Sequence, residues 1–220
     1  MKILIVGANG KMGQMMQEYL KKINCEYFFF FLLNIEDYKN IKCDILLDFS
    51  SYLALKQNLK IAKTKKIPIV IGTTNHNEKN YELISKYKKY IPIFLSSNFS
   101  IGFNVMLQML NQLKKIKAYQ FVIIEKHHKS KKDCPSGSAK EIEKILLKQD
   151  ISFNTISLRI GEVVGEHSVF AYGENEIVEL KHTAQNKMLF CEGAYNVCKY
   201  MLKQPNGYYT MEDFLKSDSL

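Results

Sequence analysis

The sequence predicts an α/β protein: a parallel sheet covered by helices on both faces, followed near residue 100 by a second, α+β lobe. Three observations carry this. The chain begins with an apolar run, KILIV, that passes through Gly7, Gly10 and Gly13 into a stretch of helical period. Four more short apolar runs then alternate with polar, helical stretches up to residue 98, the pattern of strands buried on both faces. After Asn98 the rhythm changes to one long apolar-periodic run, a helix, and strands punctuated by glycine turns.

In the first segment Met12, Met15, Met16, Tyr19, Leu20 and Ile23 recur at helical spacing, so residues 2–23 read as strand, tight glycine turn and helix. The glycine spacing G-x-x-G-x-x-G is a variant of the dinucleotide-binding fingerprint. Glycines permit the turn and let the backbone approach a pyrophosphate at the helix N-terminus. The next runs are EYFFFFLLN, KCDILLDFSS, IPIVIGTTN and IPIFLSSNF, separated by YLALKQNLKIAKTKK and NEKNYELISKYKKY. Each apolar run ends in small polar residues: Asn34, Ser50 and Ser51, Thr73 and Thr74, then Ser96, Ser97 and Asn98. In an open α/β sheet the ligand lies beyond the carboxyl ends of the strands. The candidate nucleotide site is therefore Gly7, Ala8, Asn9, Gly10, Lys11 and Met12, with Gly72, Thr73 and Thr74 and with Ser96, Ser97, Asn98 and Phe99 closing around the nicotinamide end.

Beyond residue 100, IGFNVMLQMLNQLKKI reads as one long helix, AYQFVIIEKHH as a strand and SAKEIEKILLKQ as a helix. TISLRIGEVVGEHSVFAYGENEIVELKHTA reads as antiparallel or mixed strands turning at Gly161, Gly165 and Gly173, and KMLFCEGAYNVCKYMLK as a helix broken by Pro205-Asn206-Gly207 before a short tail.

Composition narrows the function classes. A chain of 220 residues, 46% of them hydrophobic, can bury a sizeable core. The longest apolar run, Tyr27 to Leu33, is far too short to span a bilayer, and MKILIVGANG turns glycine-rich where a signal sequence would continue apolar, so a soluble cytoplasmic protein without membrane attachment is expected. Five cysteines without CxxC or Cys/His spacing argue against a disulfide framework or a zinc site, and no metal is expected. The net charge of +9 invites a nucleic-acid reading, but Arg159 is the only arginine and the lysines are scattered in a chain rich in Ile, Asn, Tyr and Phe. Those residues share A/T-rich codons, so compositional drift accounts for the charge and no nucleic-acid partner is expected.

The stretch with most chemistry is EKHHKSKKDCPSGSA, residues 125–139. It sets His127 and His128 at a strand end, Lys129, Lys131 and Lys132 behind them, and Ser136, Gly137 and Ser138 at a helix start. Unpaired N–H groups and the helix dipole at such a start favour a carboxylate or phosphate. Cations on one side, a helix start on the other and a histidine able to move a proton suit a small, multiply anionic molecule. Taken singly, each of these residues also fits ordinary capping or a solvated face.

These residues resemble the 4-hydroxy-tetrahydrodipicolinate reductase (dihydrodipicolinate reductase) family. The resemblance is collinear: GANGKMG at the start, DFS at 48–50, GTT at 72–74, SNFSIGFN at 97–104, the EKHHKSKKDCPSGSA stretch, VGEHSV, and H-x-A-x-x-x-x-x-F-x-x-GA from His182. It implies an N-terminal Rossmann-type parallel sheet with an inserted α+β catalytic and oligomerisation lobe, residues 1–100 with 188–220 forming the dinucleotide-binding domain and 101–187 the substrate and tetramerisation domain. It implies NADH or NADPH as cofactor, a dicarboxylate substrate, a homotetramer, and a reductive dehydration in diaminopimelate and lysine biosynthesis. It also implies that His127 is an acid/base histidine and Lys131 a proton donor, and that His128, Gly137 and Ser138 bind substrate. Lys11 and Lys187 stand where the family usually has arginine, and the segment 147–158 is shorter than in typical members. The residue that binds the adenosine ribose is left open among Asn34, Glu36 and Asp37, with Lys39 and Lys42 beyond.

His167 and His182 read as structural histidines satisfied by hydrogen bonds. Two other functions compete: a related nicotinamide enzyme such as a homoserine or aspartate dehydrogenase, and a non-catalytic NAD(P)-binding sensor or assembly module. The intact cluster at 127–138 argues against both.

Overall fold

Ile3–Val6 (β1) is wholly buried and runs into the glycine turn because Gly7 takes φ +86°, a left-handed conformation that other residues rarely adopt. A side chain there would also stand 2.6 Å from the backbone of Phe49. Helix α1, Lys11–Lys22, buries Gly13, Met16 and Leu20. A Cβ on Gly13 would stand 2.3 Å from the carbonyl oxygen of Gly7, so only glycine lets the helix start this close to the loop. These are features of a computed structural model that describes residues 1–30 and 41–217.

Strand β2 is Tyr27–Phe30, and the apolar runs that follow form β3 (Ile45–Asp48), β4 (Ile69–Ile71) and β5 (Pro92–Leu95). Between them lie α2 (Leu55–Lys65) and α3 (Glu78–Tyr87), the latter opened by a reciprocal Asn77/Asn80 capping box. The stretch after Pro205, read from the sequence only as a short tail, adds β10 (Gly207–Tyr209) and α7 (Met211–Leu215). All six strands pair in parallel in the order β10-β5-β4-β3-β1-β2. The order reverses at β1 and β3, so the crevice where such sheets take ligands opens at Gly7 and Phe49. Leu4, Leu46, Leu59, Ile69, Ile84 and Ile93 belong to one buried cluster of this unit. Helix α6, Met188–Met201, packs against α1, β4 and β5, and a Cβ on its Gly193 would overlap the Phe99 carbonyl.

The chain divides into two compact units, Met1–Phe99 with Met188–Leu220, and Ser100–Lys187. In the second unit the run 101–116 is not one helix. Helix α4 is Ile101–Leu110, and a turn leads from it to a 3-10 segment, Leu113–Ile116. Leu110 and Leu113 are both buried, and a three-residue spacing suits either kind of helix. Then come β6 (Gln120–His127), α5 (Gly137–Leu147), β7 (Phe153–Arg159), β8 (Gly165–Tyr172) and β9 (Ile177–Ala184), in a mixed sheet ordered β7-β6-β8-β9. β6 and β7 are parallel, joined through α5; β8 pairs antiparallel with β6 and β9. Phe121, Ile123, Val169 and Ala171 pack in one core with Phe103 and Met106 of α4 and Ile142 and Leu146 of α5. Each of these side chains larger than alanine contributes about 1.5–3 kcal/mol on burial. Among the described residues no helix is long and apolar enough to cross a membrane.

Candidate active site

In the first unit the strand ends converge on Phe49. Its backbone fills the space a Gly7 side chain would need, and its ring stands 2.3 Å from where a Cβ on Gly72 would be. Phe99 meets that ring edge-on, with centroids 6.1 Å apart, and stacks on Phe94. Asp48, fully buried at the end of β3, sets the turn by accepting from the Ser50 N–H at 2.9 Å and the Ser50 hydroxyl at 2.5 Å. Burial pushes its carboxyl up, against these hydrogen bonds. Thr73 and Ser96 are engaged locally, with His76 and with the backbone of Asn98.

The glycine cradle fits a dinucleotide. Gly10 caps α1 without any side-chain hydrogen bond, and the first turn carries no acidic residue, so its N–H groups and dipole are available to a pyrophosphate. Asn9, Gly10 and Lys11 are exposed, Met12 half-buried and Ala8 buried. The candidate ribose-binding residues Asn34, Glu36, Asp37 and Lys39 lie outside the described residues; Lys42 is exposed.

The second unit builds a charged hydrogen-bond network at the end of β6. Strand alternation puts Glu125 and His127 on one face. The register sets Glu125 beside Ser157 of β7 and His167 of β8, and His127 beside Arg159. Glu125 is 0% exposed. Its Oε2 faces His127 Nδ1, while Oε1 accepts from Arg159 Nη2 at 2.8 Å and from the Ser136 N–H at 3.3 Å. Burial raises the Glu125 carboxyl, but the donors Arg159, Ser157 and His127 outweigh it and hold it below the usual carboxylate range. Burial pushes the His127 imidazole down; Glu125 opposes this, and Lys131 and Arg159 add to it. At neutral pH His127 is thus neutral. An ionised carboxylate only accepts, so Nδ1 carries the proton and Nε2 presents its lone pair.

Lys131 Nζ binds the Asp133 carboxylate at 2.8 Å. That ion pair, with help from the Gly137 N–H, holds Asp133 below its ordinary range. Ser136 caps α5 through the Ala139 N–H at 3.2 Å, and space beside Gly137 is open. A carboxylate arriving at this helix start would compete with Asp133 for Lys131 and Gly137. His128 is half-buried, with Nδ1 2.8 Å from the Ser130 hydroxyl.

From the sequence, Ser136 was placed only at the helix start, and Glu125 and Arg159 carried no role. The legible signal was Glu-x-His at a strand end, which places a carboxylate under an imidazole. His167 and His182 are each bonded through Nε2, to Ser136 at 3.2 Å and Ser100 at 3.1 Å, while each Nδ1 is buried without a hydrogen-bond partner. Glu125, His127 and His167 offer ligand atoms within 4.8 Å of one another, but the Glu125 oxygens are engaged by Arg159, Ser136 and His127, the arrangement of a proton-handling network.

Burial, with the charge of neighbouring His127 next, pushes His167 down to about 4. The unfolded chain takes up a proton near 6.5 that the folded state refuses until about 4. The contribution is therefore complete above pH 6.5 and is lost as pH falls toward 4, about 3 kcal/mol in all. Urea unfolding of His167→Asn should show a shallower loss of stability between pH 6.5 and 4.5 than the wild type; equal slopes would contradict this.

Family models match nearly the whole chain: that for the dihydrodipicolinate reductase N-terminus over residues 24–99, and that for its C-terminus over 102–215. The chain belongs to the dihydrodipicolinate reductase family. It is 33% identical to a 4-hydroxy-tetrahydrodipicolinate reductase of Clostridium novyi, covering 98% of each chain, and 36% identical to one of Bdellovibrio bacteriovorus, covering 97% of this chain and 96% of that one. The Clostridium alignment runs over 251 positions, so this family member is the shorter of the two. In the structure α5 and β7 are joined by residues 148–152 alone. A solved dihydrodipicolinate reductase from Paenisporosarcina sp. TG-14, with dipicolinate bound, superposes with a TM-score of 0.76 at 19% identity, covering 95% of this chain and 97% of that one. An aspartate dehydrogenase from Thermotoga maritima reaches 0.51 at 17% identity, with 93% and 97% covered. These two likenesses concern the fold.

Proposed function

We propose that this reductase-family protein converts (2S,4S)-4-hydroxy-2,3,4,5-tetrahydrodipicolinate to 2,3,4,5-tetrahydrodipicolinate with loss of water, as an NAD(P)H-dependent step of diaminopimelate and lysine biosynthesis. The observation that carries this reading is the buried Glu125–His127 pair beside Lys131, at a strand end facing a helix start, in a chain that matches the family over residues 24–99 and 102–215.

The conversion replaces the hydroxyl on C4 by hydrogen. Removing a proton from C5, next to the imine, lets the hydroxyl leave and yields a conjugated imine. A dinucleotide held in the glycine cradle would supply the hydride, at C4, and a proton returns to C5. Neutral His127, with its Nε2 lone pair, takes the C5 proton and later returns it. Glu125 stabilises the imidazolium in between. Lys131 gives the departing hydroxyl its proton, so water leaves and one proton is consumed overall. His128, Gly137 and Ser138 hold the substrate carboxylates, Ser138 from the first turn of α5.

Pyridine-2,6-dicarboxylate, a planar mimic of the substrate, should inhibit competitively against substrate and bind more weakly to Ser138→Ala; the Paenisporosarcina protein was solved with this compound. Inhibition that instead tracks NADH concentration would place the dicarboxylate site elsewhere.

The cradle at Gly7 to Met12, with Gly72 to Thr74 and Ser96 to Phe99, holds the dinucleotide. The second strand is followed in sequence by carboxylates at Glu36 and Asp37 and lysines at Lys39 and Lys42, with no arginine. Carboxylates favour the 2′-hydroxyl of NADH, and a lysine neutralises a 2′-phosphate only as a point charge. Both cofactors should support activity with less than about tenfold discrimination, or about 1.4 kcal/mol. Specificity constants at matched salt check this; a hundredfold preference either way would contradict it.

Self-association into a tetramer goes through the outer face of the four-stranded sheet. Val122, Ile124, Ile156, Leu158, Tyr172 and Ile177 line that face, with Ile156 47% and Ile177 60% exposed. Glu166 bridges Lys126 and Lys181 on the same face. The cytoplasm is the compartment for such a reductase.

A further inference from the structure

We infer that Glu125 is the positioning residue that fixes His127 for proton transfer, and that Arg159 holds Glu125 in place, forming a relay from β7 through β6 to the reacting imidazole. The inference rests on the proton-transfer role proposed for His127.

The geometry separates the duties of the two carboxylate oxygens. Oε2 is given to His127 Nδ1, and Oε1 is held by Arg159 Nη2 at 2.8 Å and the Ser136 N–H at 3.3 Å. Arg159 is itself fixed, donating through Nη1 to the Leu158 carbonyl at 2.9 Å and through Nη2 to the Asp133 carbonyl at 2.5 Å. One carboxylate thus joins the strand bearing His127, the loop bearing Lys131 and the start of α5. An ion pair with its carboxylate fully buried is weak as a source of stability, because desolvation offsets most of the Coulomb attraction. An apolar residue of similar volume would fill the space at less cost. What the carboxylate alone provides is a single tautomer: Nδ1 must donate, and Nε2 is left as the acceptor.

Clearance around Nε2 agrees with this. A Cβ on Gly165 would stand 3.2 Å from that atom, and glycine leaves the space open. The charged and titratable groups facing His127 are Glu125 on its own strand, Arg159 of β7, His167 of β8, whose ring lies edge-on at 5.1 Å, and Lys131 of the following loop. Glu125 is the sole anion among these four, so its loss and the loss of Arg159 move the proton affinity of Nε2 in opposite directions.

The test compares Glu125→Gln and Arg159→Met in the full chain. Glu125→Gln should lower kcat by about a hundredfold or more with KM for substrate changed by less than about threefold, and should move the acid limb of kcat/KM to lower pH by about one unit. Arg159→Met should move that limb to higher pH. Nitrogen-15 spectra of histidine-labelled protein without substrate should show His127 as the Nδ1–H tautomer in the wild type and a mixture of tautomers in Glu125→Gln. This arm needs no turnover, so its outcome is separate from failure of the reductase reading. An unmoved limb and tautomer in Glu125→Gln would reduce Glu125 to packing and overturn the inference. Should that variant not fold, an unmoved or lowered limb in Arg159→Met overturns it equally.

Discussion

Replacing His127 with glutamine should lower turnover by about two to four orders of magnitude, the range for loss of a general acid–base group. Glutamine approximates the length of imidazole and its amide can still donate to Glu125, so the buried carboxylate keeps a partner and the strand end keeps its shape. What is lost is the atom proposed to take and return a proton. The nucleotide cradle is built by other strand ends, in the other compact unit, so NADH affinity followed by fluorescence should change little. Unchanged turnover in this variant would end the role proposed for His127.

Lys131→Met should cost a similar two orders of magnitude or more in kcat. Methionine retains the apolar stem and removes the ammonium that now pairs with Asp133 at 2.8 Å. Asp133 is half exposed, so losing its partner should alter stability by no more than about 0.5 kcal/mol, which isolates the chemical effect. Pre-steady-state and steady-state rates read the split. A rise in KM with kcat intact would make Lys131 a carboxylate anchor and leave the departing hydroxyl without its acid.

Much of the fold was legible because local pattern and global topology agree. Gly7 and Gly13 are glycines for steric reasons visible as spacing, and continuous apolar runs such as ILIV and ILLD announce strands covered on both faces. Where local pattern permits two outcomes, the sequence did not decide between them. Leu110 and Leu113 continue the helical period across a turn, and the three-residue β10 gains its meaning from pairing with Pro92–Phe94, far away in the chain. The site divides in the same way. His127, His128, Lys131 and the start of α5 are neighbours in sequence. The network beneath them comes from strand register, which sets Ser157, Arg159 and His167 against Glu125 and His127, and no local spacing encodes that register.

The central claim is that this chain catalyses the reductive dehydration. The most direct measurement follows NADH absorbance while the substrate is generated freshly by the synthase that precedes this step. Oxidation should require the synthase and its substrates, and should fall by about two orders of magnitude or more with His127→Gln. Tight binding of NADH with no oxidation beyond the synthase-free control would contradict it and leave the protein a dinucleotide-binding module without the reaction.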